Sequence, residues 1–311
     1  MRRSLKAART EQQNPRSEGL DRKTTVGVLR ALNREDASVA PSVRREIPKI
    51  AKAVDAIVAA FRAGGRLIYV GAGTSGRLAV ADAAECPPTF GTPPKMVQAI
   101  VAGGWRAFQW AVEGAEDSAA AGTRDLSRAE ISNHDVVVGL SASGTTPYVL
   151  AALKAAKKKG AVTVGVTANR RSPLARRAAI SVVPETGPEA LAGSTRLKAG
   201  TAQKMVLNLL STASMVRLGK VYGNWMVHLA LTNRKLRQRG IRILQEAAGV
   251  NASQAGHALR QAGNNLPAAL VMLKTGVDAA RAKEWVSEAG GNVRRVLGEN
   301  QREGTGSKNR S

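Results

Sequence analysis

Two short stretches carry more hydroxyl groups and glycine than a turn between elements needs. The first, YVGAGTSGR (69–77), offers Gly73, Thr74 and Ser75. The second, DVVVGLSASGTT (135–146), offers Ser141, Ser143, Gly144, Thr145 and Thr146. Hydroxyls and free backbone N–H groups at the start of a helix donate to a phosphate, and the positive end of the helix dipole favours its charge. Ordinary N-capping explains one or two hydroxyls per loop. It does not explain four within six residues together with a second such loop. The pair reads as a cradle for a terminal phosphomonoester. Gly71, Gly73 and Gly76 also fit the G-x-G-x-x-G spacing of dinucleotide sites. That fingerprint needs an acidic residue about 20 positions on, at the end of the second strand, to hold the ribose. Here the second strand ends in Ala102-Gly103-Gly104, so the match is poor.

Both loops join an apolar strand to a helix. The pattern predicts strands over 66–72, 95–103, 135–141, 162–168 and 180–185, with helices over 75–85, 105–113, 116–129 and 146–159. Short, nearly all-apolar strands with helical crossovers predict an α/β fold, a parallel five-stranded sheet covered on both faces. Open sheets of this kind bind ligands at the carboxyl ends of their strands, where both loops would lie. Residues 1–38 are polar and read as a tail plus a short helix. From Val39, Ile47, Ile50, Val54, Ile57, Val58 and Phe61 recur mostly at spacings of three and four until Gly64-Gly65 stops the helix. A long helix over 196–218 should pack on the sheet. From Ala252, three short helices with turns near 262–265, 274–276 and 290–292 form a small module. The expected organisation is an N-terminal tail and helices over 1–56, an α/β phosphate-binding domain over 57–220, a C-terminal helical module over 221–300 and a disordered tail over 301–311.

Composition narrows the partners. Of 311 residues, 43% are hydrophobic but only 3% aromatic, so aliphatic side chains and alanine must fill the core. Cys86 is the one cysteine, which excludes an internal disulfide and fits a reducing, cytoplasmic setting. No apolar run approaches the ~20 residues of a membrane span, and the basic N-terminus lacks the apolar segment of a secretory signal. The net charge of +24 suggests anionic partners. Its basic runs, 157–159, 169–177 and 233–242, are scattered, with no aromatic interleaving and no helix-turn-helix pattern. A small anion fits better than specific nucleic acid. His134, His228 and His257 are dispersed and give no metal-ligand cluster.

GAGTSG with SASGTT resembles the SIS phosphosugar-binding domain of sugar isomerases. Longer stretches narrow the likeness: RLIYVGAGTSGRL, ECPPTFG, AVEGAED, GSTRLKAGTAQKMVLNLLST and GKVYGN. Together they resemble N-acetylmuramic acid 6-phosphate etherases from about Asn14 to Leu297. The resemblance implies a SIS-type sheet and a homodimer with sites near the subunit interface. It implies cleavage of the D-lactyl ether to give N-acetylglucosamine 6-phosphate and D-lactate, a carbon–oxygen lyase step in amino-sugar catabolism and cell-wall recycling. It also carries the catalytic pair onto Glu85, as proton donor, and Glu116, as base, with Glu113 the rival for the second role. The chain departs from the family pattern in three places: Thr145 where arginine is usual, His228 where aspartate is common and Ala84 where serine is frequent.

An alkyl ether is hard to cleave because its leaving alkoxide is strongly basic. Opening the sugar exposes an aldehyde at C1, which acidifies the C2 proton. A base removes that proton, an acid protonates the departing oxygen at C3, and water adds to the double bond. Two carboxyl groups in different environments suffice, and no cofactor is needed. Pro87 and Pro88 should end the helix after Glu85, leaving that carboxyl at the negative end of the dipole, where the protonated acid is favoured. Glu116 follows Gly114 and should open a helix, where the positive end favours the carboxylate. Arg196, Lys198 and Lys204 are candidates to hold a substrate anion, the lactyl carboxylate included, and equally candidates for ordinary helix-surface charges. Cys86 reads as a small packing residue, and Trp105 and Trp110 as packing residues of the 105–113 helix. The competing reading is a phosphosugar-sensing regulatory protein of the glucokinase-regulatory type. A sugar-phosphate-responsive transcription factor would need more than residues 1–38 ahead of the sheet.

Overall fold

The computed structural model describes residues 9–298. It divides into two compact units, one holding Pro93–Ser214 with the chain up to Cys86, the other holding Pro87–Thr92 with the chain from Met215 onward.

In the first unit, five apolar runs form β1 (Leu67–Gly71), β2 (Val97–Val101), β3 (Val136–Leu140), β4 (Val162–Val166) and β5 (Ile180–Val182). They make one parallel sheet in the order β2-β1-β3-β4-β5. Every residue of β1 and β3 is buried, as a doubly covered sheet requires. The accompanying helices are α1 (Thr25–Asp36), α2 (Val39–Arg44), α3 (Ile47–Arg62), α4 (Gly73–Phe90), α5 (Arg106–Gln109), α6 (Ala119–Arg128), α7 (Pro147–Lys158), α8 (Pro173–Arg177) and α9 (Lys198–Arg217). On one face Ile68, Val70 and Val137 pack with Leu126 of α6 and with Tyr148 and Leu153 of α7. On the other, the Tyr69 hydroxyl donates to Asp82 of α4 at 2.8 Å, and the same carboxylate accepts from Asn208 and Ser211 of α9 at 2.8 and 3.0 Å. One buried acid thus ties β1, α4 and α9 together. Burial first, then the neighbouring Asp82, pushes the Tyr69 phenol well above its ordinary pKa.

The chain steps from β1 outward to β2 and then returns to place β3 on the other side of β1. The order therefore reverses between β1 and β3, which is where open sheets of this class leave a crevice. Gly71 and Gly76 make the tight exit from β1 possible. A Cβ on Gly76 would lie 2.6 Å from Val101 Cγ1, and one on Gly71 would lie 2.7 Å from the Gly76 nitrogen. The glycine spacing that imitates a dinucleotide fingerprint serves close packing of α4 on β1 and β2.

Several local expectations are corrected. α4 does not stop at Pro87-Pro88 but continues to Phe90, closed by a Gly91 N–H to Pro87 carbonyl bond of 2.9 Å. The proline ring presets a helical φ, so the pair removes two donors without ending the helix. The helix expected over 105–113 shrinks to α5, because Gly103 and Gly104 turn the chain with φ of 84° and 63° and Trp110 is extended. Trp105 and Trp110 are consequently 78% and 72% exposed rather than packed. The helix expected from 116 begins at Ala119, where Ser118 caps it. The pattern starting at Val39 divides into α2 and α3. Residues 9–22 are not a loose tail. They form three 3-10 turns, with the Asn14 amide 2.7 Å from Glu35 Oε2 and the Ser17 hydroxyl 2.7 Å from the Ala190 carbonyl. The tail expected over 301–311 lies outside the described residues.

The second unit is helical: α10 (Arg234–Ala248), α11 (Ala252–Gln261), α12 (Leu266–Thr275), α13 (Ala279–Glu288) and α14 (Val293–Val296). Asn233, Asn251, Asn265, Asp278 and Asn292 each cap the helix that follows with a side-chain oxygen. Leu244, Leu259, Leu266, Leu270 and Val286 fill the core. α10 and α14 add to the three helices expected. His228 donates its Nε2 hydrogen to the Gly291 carbonyl at 2.7 Å. Burial lowers its pKa, with Lys220 adding repulsion, against the opposing pull of that hydrogen bond.

Candidate functional site

The two hydroxyl loops leave β1 and β3, the neighbouring strands between which the order reverses. The first passes from Gly71 through Ala72 into α4, so Gly73, Thr74 and Ser75 form the opening turn of the helix. The second runs from Ser141 to Thr146 and opens α7 with Pro147 at its first position. Its hydroxyls form a chain. Ser141 Oγ lies 2.8 Å from Thr146 Oγ1 and 3.4 Å from Ser143 Oγ, and Ser143 Oγ lies 2.8 Å from Thr145 Oγ1. Thr146 stands at the N-cap of α7 yet makes no side-chain capping bond. Its hydroxyl is turned to Ser141 instead, so capping does not account for it.

The back of this loop is fixed. Gly144, at φ 71°, sits where a Cβ would collide with the Ser172 side chain, and its carbonyl accepts from the Leu174 N–H at 3.0 Å. Thr167 Oγ1 donates to the Ala142 carbonyl at 3.1 Å. Ala142, Ala168 and Ala199 pack together, which brings the first turn of α9 beside the loop.

Glu116 lies in a 3-10 turn, Ala115–Asp117, that follows Gly114 at φ 69° and precedes α6. It is exposed, as is Glu113. Both line a cavity of about 290 Å³ whose wall includes Gly73, Thr74 and Arg77 of α4. One hydroxyl loop and both candidate bases therefore share a cavity. A larger one, about 720 Å³, lies among the N-terminal turns, with Asn14, Leu20 and Leu191 in its lining. Its volume comes from that segment's shape, and it gathers none of the hydroxyls above.

Glu85 is exposed on α4. At 1.5 Å per residue it is about 18 Å along the helix from Gly73 and about 12 Å from Arg77, and it is not part of the cavity wall. Cys86 beside it is buried, and burial first, then Asp82 and Glu85, pushes its thiol to about 12, so it stays a protonated packing group.

The three cations near α9 divide. Arg196 and Lys204 are exposed. Lys198 points inward, with Nζ 2.6 Å from Glu35 Oε2. Its backbone N–H and that of Ala199 donate to Glu189, each at 2.9 Å, so a buried carboxylate of this chain occupies the anion-binding end of α9. Burial raises the Glu189 pKa, opposed by those two hydrogen bonds. Sequence reasoning missed Asp82, Glu189 and Glu35. Asp82 and Glu189 have apolar neighbours in sequence, a pattern that can mark a buried carboxylate; Glu35, between Arg34 and Asp36, carries no such signal. Among the described residues, no group of three or more His, Cys, Asp or Glu gathers as a metal site would, and no helix is long and apolar enough to cross a membrane.

A family model described as the glucokinase regulatory protein N-terminal SIS domain matches residues 49–173, the segment that includes β1 through β4 and both loops. Full-length relatives are closer in extent. The N-acetylmuramic acid 6-phosphate etherase of Geobacillus thermodenitrificans is 53% identical over 93% of this chain and 98% of its own. Those of Cutibacterium acnes and Edwardsiella ictaluri are 50% and 49% identical, covering 94% and 95% of this chain and 96% and 99% of theirs. Sharing about half its residues with such proteins along nearly their whole length, the chain belongs to the N-acetylmuramic acid 6-phosphate etherase family.

Proposed function

We propose that this protein is an N-acetylmuramic acid 6-phosphate etherase, a carbon–oxygen lyase that works in the cytoplasm on an amino sugar from cell-wall recycling. The observation that carries the reading is the placement of two hydroxyl loops at the reversal of strand order, the first of them lining one cavity with Glu113 and Glu116. The start of α4 and the Ser141–Thr146 loop receive the 6-phosphate through hydroxyls, backbone N–H groups and the two helix dipoles. Arg196 and Lys204 remain free to meet the lactyl carboxylate.

With the phosphate anchored, the open-chain sugar lays C2 and C3 along the cavity. Glu116 takes the C2 proton, the electron pair moves into a C2–C3 double bond conjugated with the C1 aldehyde, and the C3–O bond breaks. Glu85 protonates the departing lactate oxygen. Water then adds at C3 and a proton returns to C2, giving N-acetylglucosamine 6-phosphate and D-lactate. Atoms and charge balance with one water consumed.

Within a single chain Glu85 is not part of the wall of the cavity that Glu116 lines. We therefore assign the acid to a second copy: a homodimer in which α4 of one copy brings its Glu85 to the cavity of the other. The exposed Trp105, Trp110 and Val112, on the segment that carries Glu113 and Glu116, supply apolar surface for such an interface. The family-model match raises the regulatory reading, in which phosphosugar binds and nothing is cleaved. Incubation with N-acetylmuramic acid 6-phosphate separates the two. Release of D-lactate in equal amount with N-acetylglucosamine 6-phosphate supports the lyase, and tight binding without lactate refutes it.

A further inference from the structure

The segment between β2 and α6 carries both candidate bases; Ala115 packs on the core beside α7 at its far end, but the stretch from Gly103 to Gly114 has little to hold it. Gly103, Gly104 and Gly114 all have positive φ, and Trp105, Trp110 and Val112 are exposed. Ala107 is its one fully buried side chain between Gly103 and Gly114. What fastens the segment is Arg77. Its Nε donates to the Ala107 carbonyl at 2.8 Å and its Nη2 to the Trp110 carbonyl at 3.3 Å. These carbonyls lie at the end of α5, where helical N–H partners run out. Arg77 belongs to the opening turns of α4 and lines the same cavity as Thr74, Glu113 and Glu116. No carboxylate among the described residues pairs with it, so its charge is not spent on an ion pair.

We infer that Arg77 is a positioning residue that fixes the Glu113–Glu116 segment to the phosphate-binding start of α4. This rests on the lyase reading above. The planar guanidinium holds two carbonyls in a set geometry, which a lysine ammonium on a flexible stem cannot reproduce. One helix turn thereby carries both functions: its free N–H groups and hydroxyls receive the phosphate, and its arginine sets how far from that phosphate the base stands. A displacement of about 1 Å in a reacting group can cost about 100-fold in rate, so the tether acts on the chemical step while leaving ground-state binding alone.

The test uses the full chain with Arg77→Gln and Arg77→Lys. Three quantities are read: kcat for lactate release, affinity for N-acetylglucosamine 6-phosphate by calorimetry, and amide exchange over 105–117. The glutamine variant should lose about 100-fold in kcat, keep its affinity for the phosphosugar and exchange faster over 105–117. The lysine variant, holding one carbonyl at a time, should fall between. Retained phosphosugar affinity also shows that a variant is folded, and if the glutamine variant is not, the lysine variant decides. Parallel loss of kcat and affinity would mean that Arg77 grips the substrate itself and would overturn the inference, as would unchanged kcat and exchange. If the wild-type protein releases no lactate, the lyase reading fails, and exchange over 105–117 alone then decides whether Arg77 is the tether.

Discussion

Lys198→Met tests whether this cation serves the substrate or the fold. In the structure its Nζ is 2.6 Å from Glu35 Oε2, and the two side chains are only 3% and 4% exposed. Asn14 donates to the same oxygen at 2.7 Å. The other oxygen, Oε1, is buried without a hydrogen-bond partner, with only the exposed Arg16 guanidinium 4.0 Å away. Methionine keeps most of the stem and removes the charge, which leaves a buried carboxylate with one neutral donor. Breaking a buried pair in this way costs about 3–5 kcal/mol, a large share of the ~5–15 kcal/mol that holds a domain together. At about 2–4 °C per kcal/mol for a unit of this size, Tm falls by about 6–20 °C.

The pH dependence has a definite sign. Burial pushes the Glu35 pKa up, but the hydrogen bonds from Lys198 and Asn14 and the charges of Lys198 and Arg16 outweigh it, so the native value lies below the ordinary one. The pair's contribution is therefore present above the ordinary carboxylate range and lost as pH falls through the depressed native value. In Lys198→Met only burial and Asn14 remain strong, so the carboxyl protonates more readily and the deficit against wild type narrows in mild acid. Replacing both partners, Glu35→Met with Lys198→Met, should bring stability back close to wild type. Urea unfolding followed by circular dichroism at neutral and mildly acidic pH measures all of this, with KM taken in parallel. A Lys198→Met protein of wild-type stability and raised KM would refute the reasoning and return Lys198 to the substrate.

Three further outcomes concern the reaction itself. Glu116→Gln should slow exchange of the C2 proton with solvent deuterium by about 100- to 10,000-fold, while Glu113→Gln leaves exchange near wild type; the reverse pattern would move the base to Glu113. Mixing Glu85→Gln protein with Glu116→Gln protein, each inactive alone, should restore about a quarter of wild-type lactate release, because half of randomly paired dimers then hold one intact site; no recovery after subunit exchange would refute sharing between copies. Thr146→Val removes the 2.8 Å contact with Ser141 and should weaken phosphosugar affinity by about tenfold, the worth of one charge-assisted hydrogen bond, with α7 helicity unchanged because Thr146 does not cap it.

What the sequence makes legible follows from the range of each interaction. β1 and β3 can be read because burial on both faces makes every residue apolar or glycine from Leu67 to Gly71 and from Val136 to Leu140. The hydroxyl loops can be read because hydroxyls crowd the strand-to-helix exits after β1 and β3. α10 is hard to read because arginines and a lysine crowd its first turns and mask the apolar period, although Asn233 caps it and Gly249 closes it at φ 70°. Trp105 and Trp110 were misplaced by a helical period that Gly103 and Gly104 cut short. The Glu35–Lys198 pair spans 163 residues, and nothing local distinguishes its members from solvated charges until the fold buries them. The same limit governs the site. Glu116 and the first hydroxyl loop converge because β2 pairs with β1, a strand order that the alternation of strands and helices does not by itself supply. Glu85 stands about 18 Å along α4 from Gly73 and about 12 Å from Arg77, and it is not part of the cavity wall that holds Glu116. If the acid arrives on another copy's α4, the unit that catalyses is larger than the unit that folds.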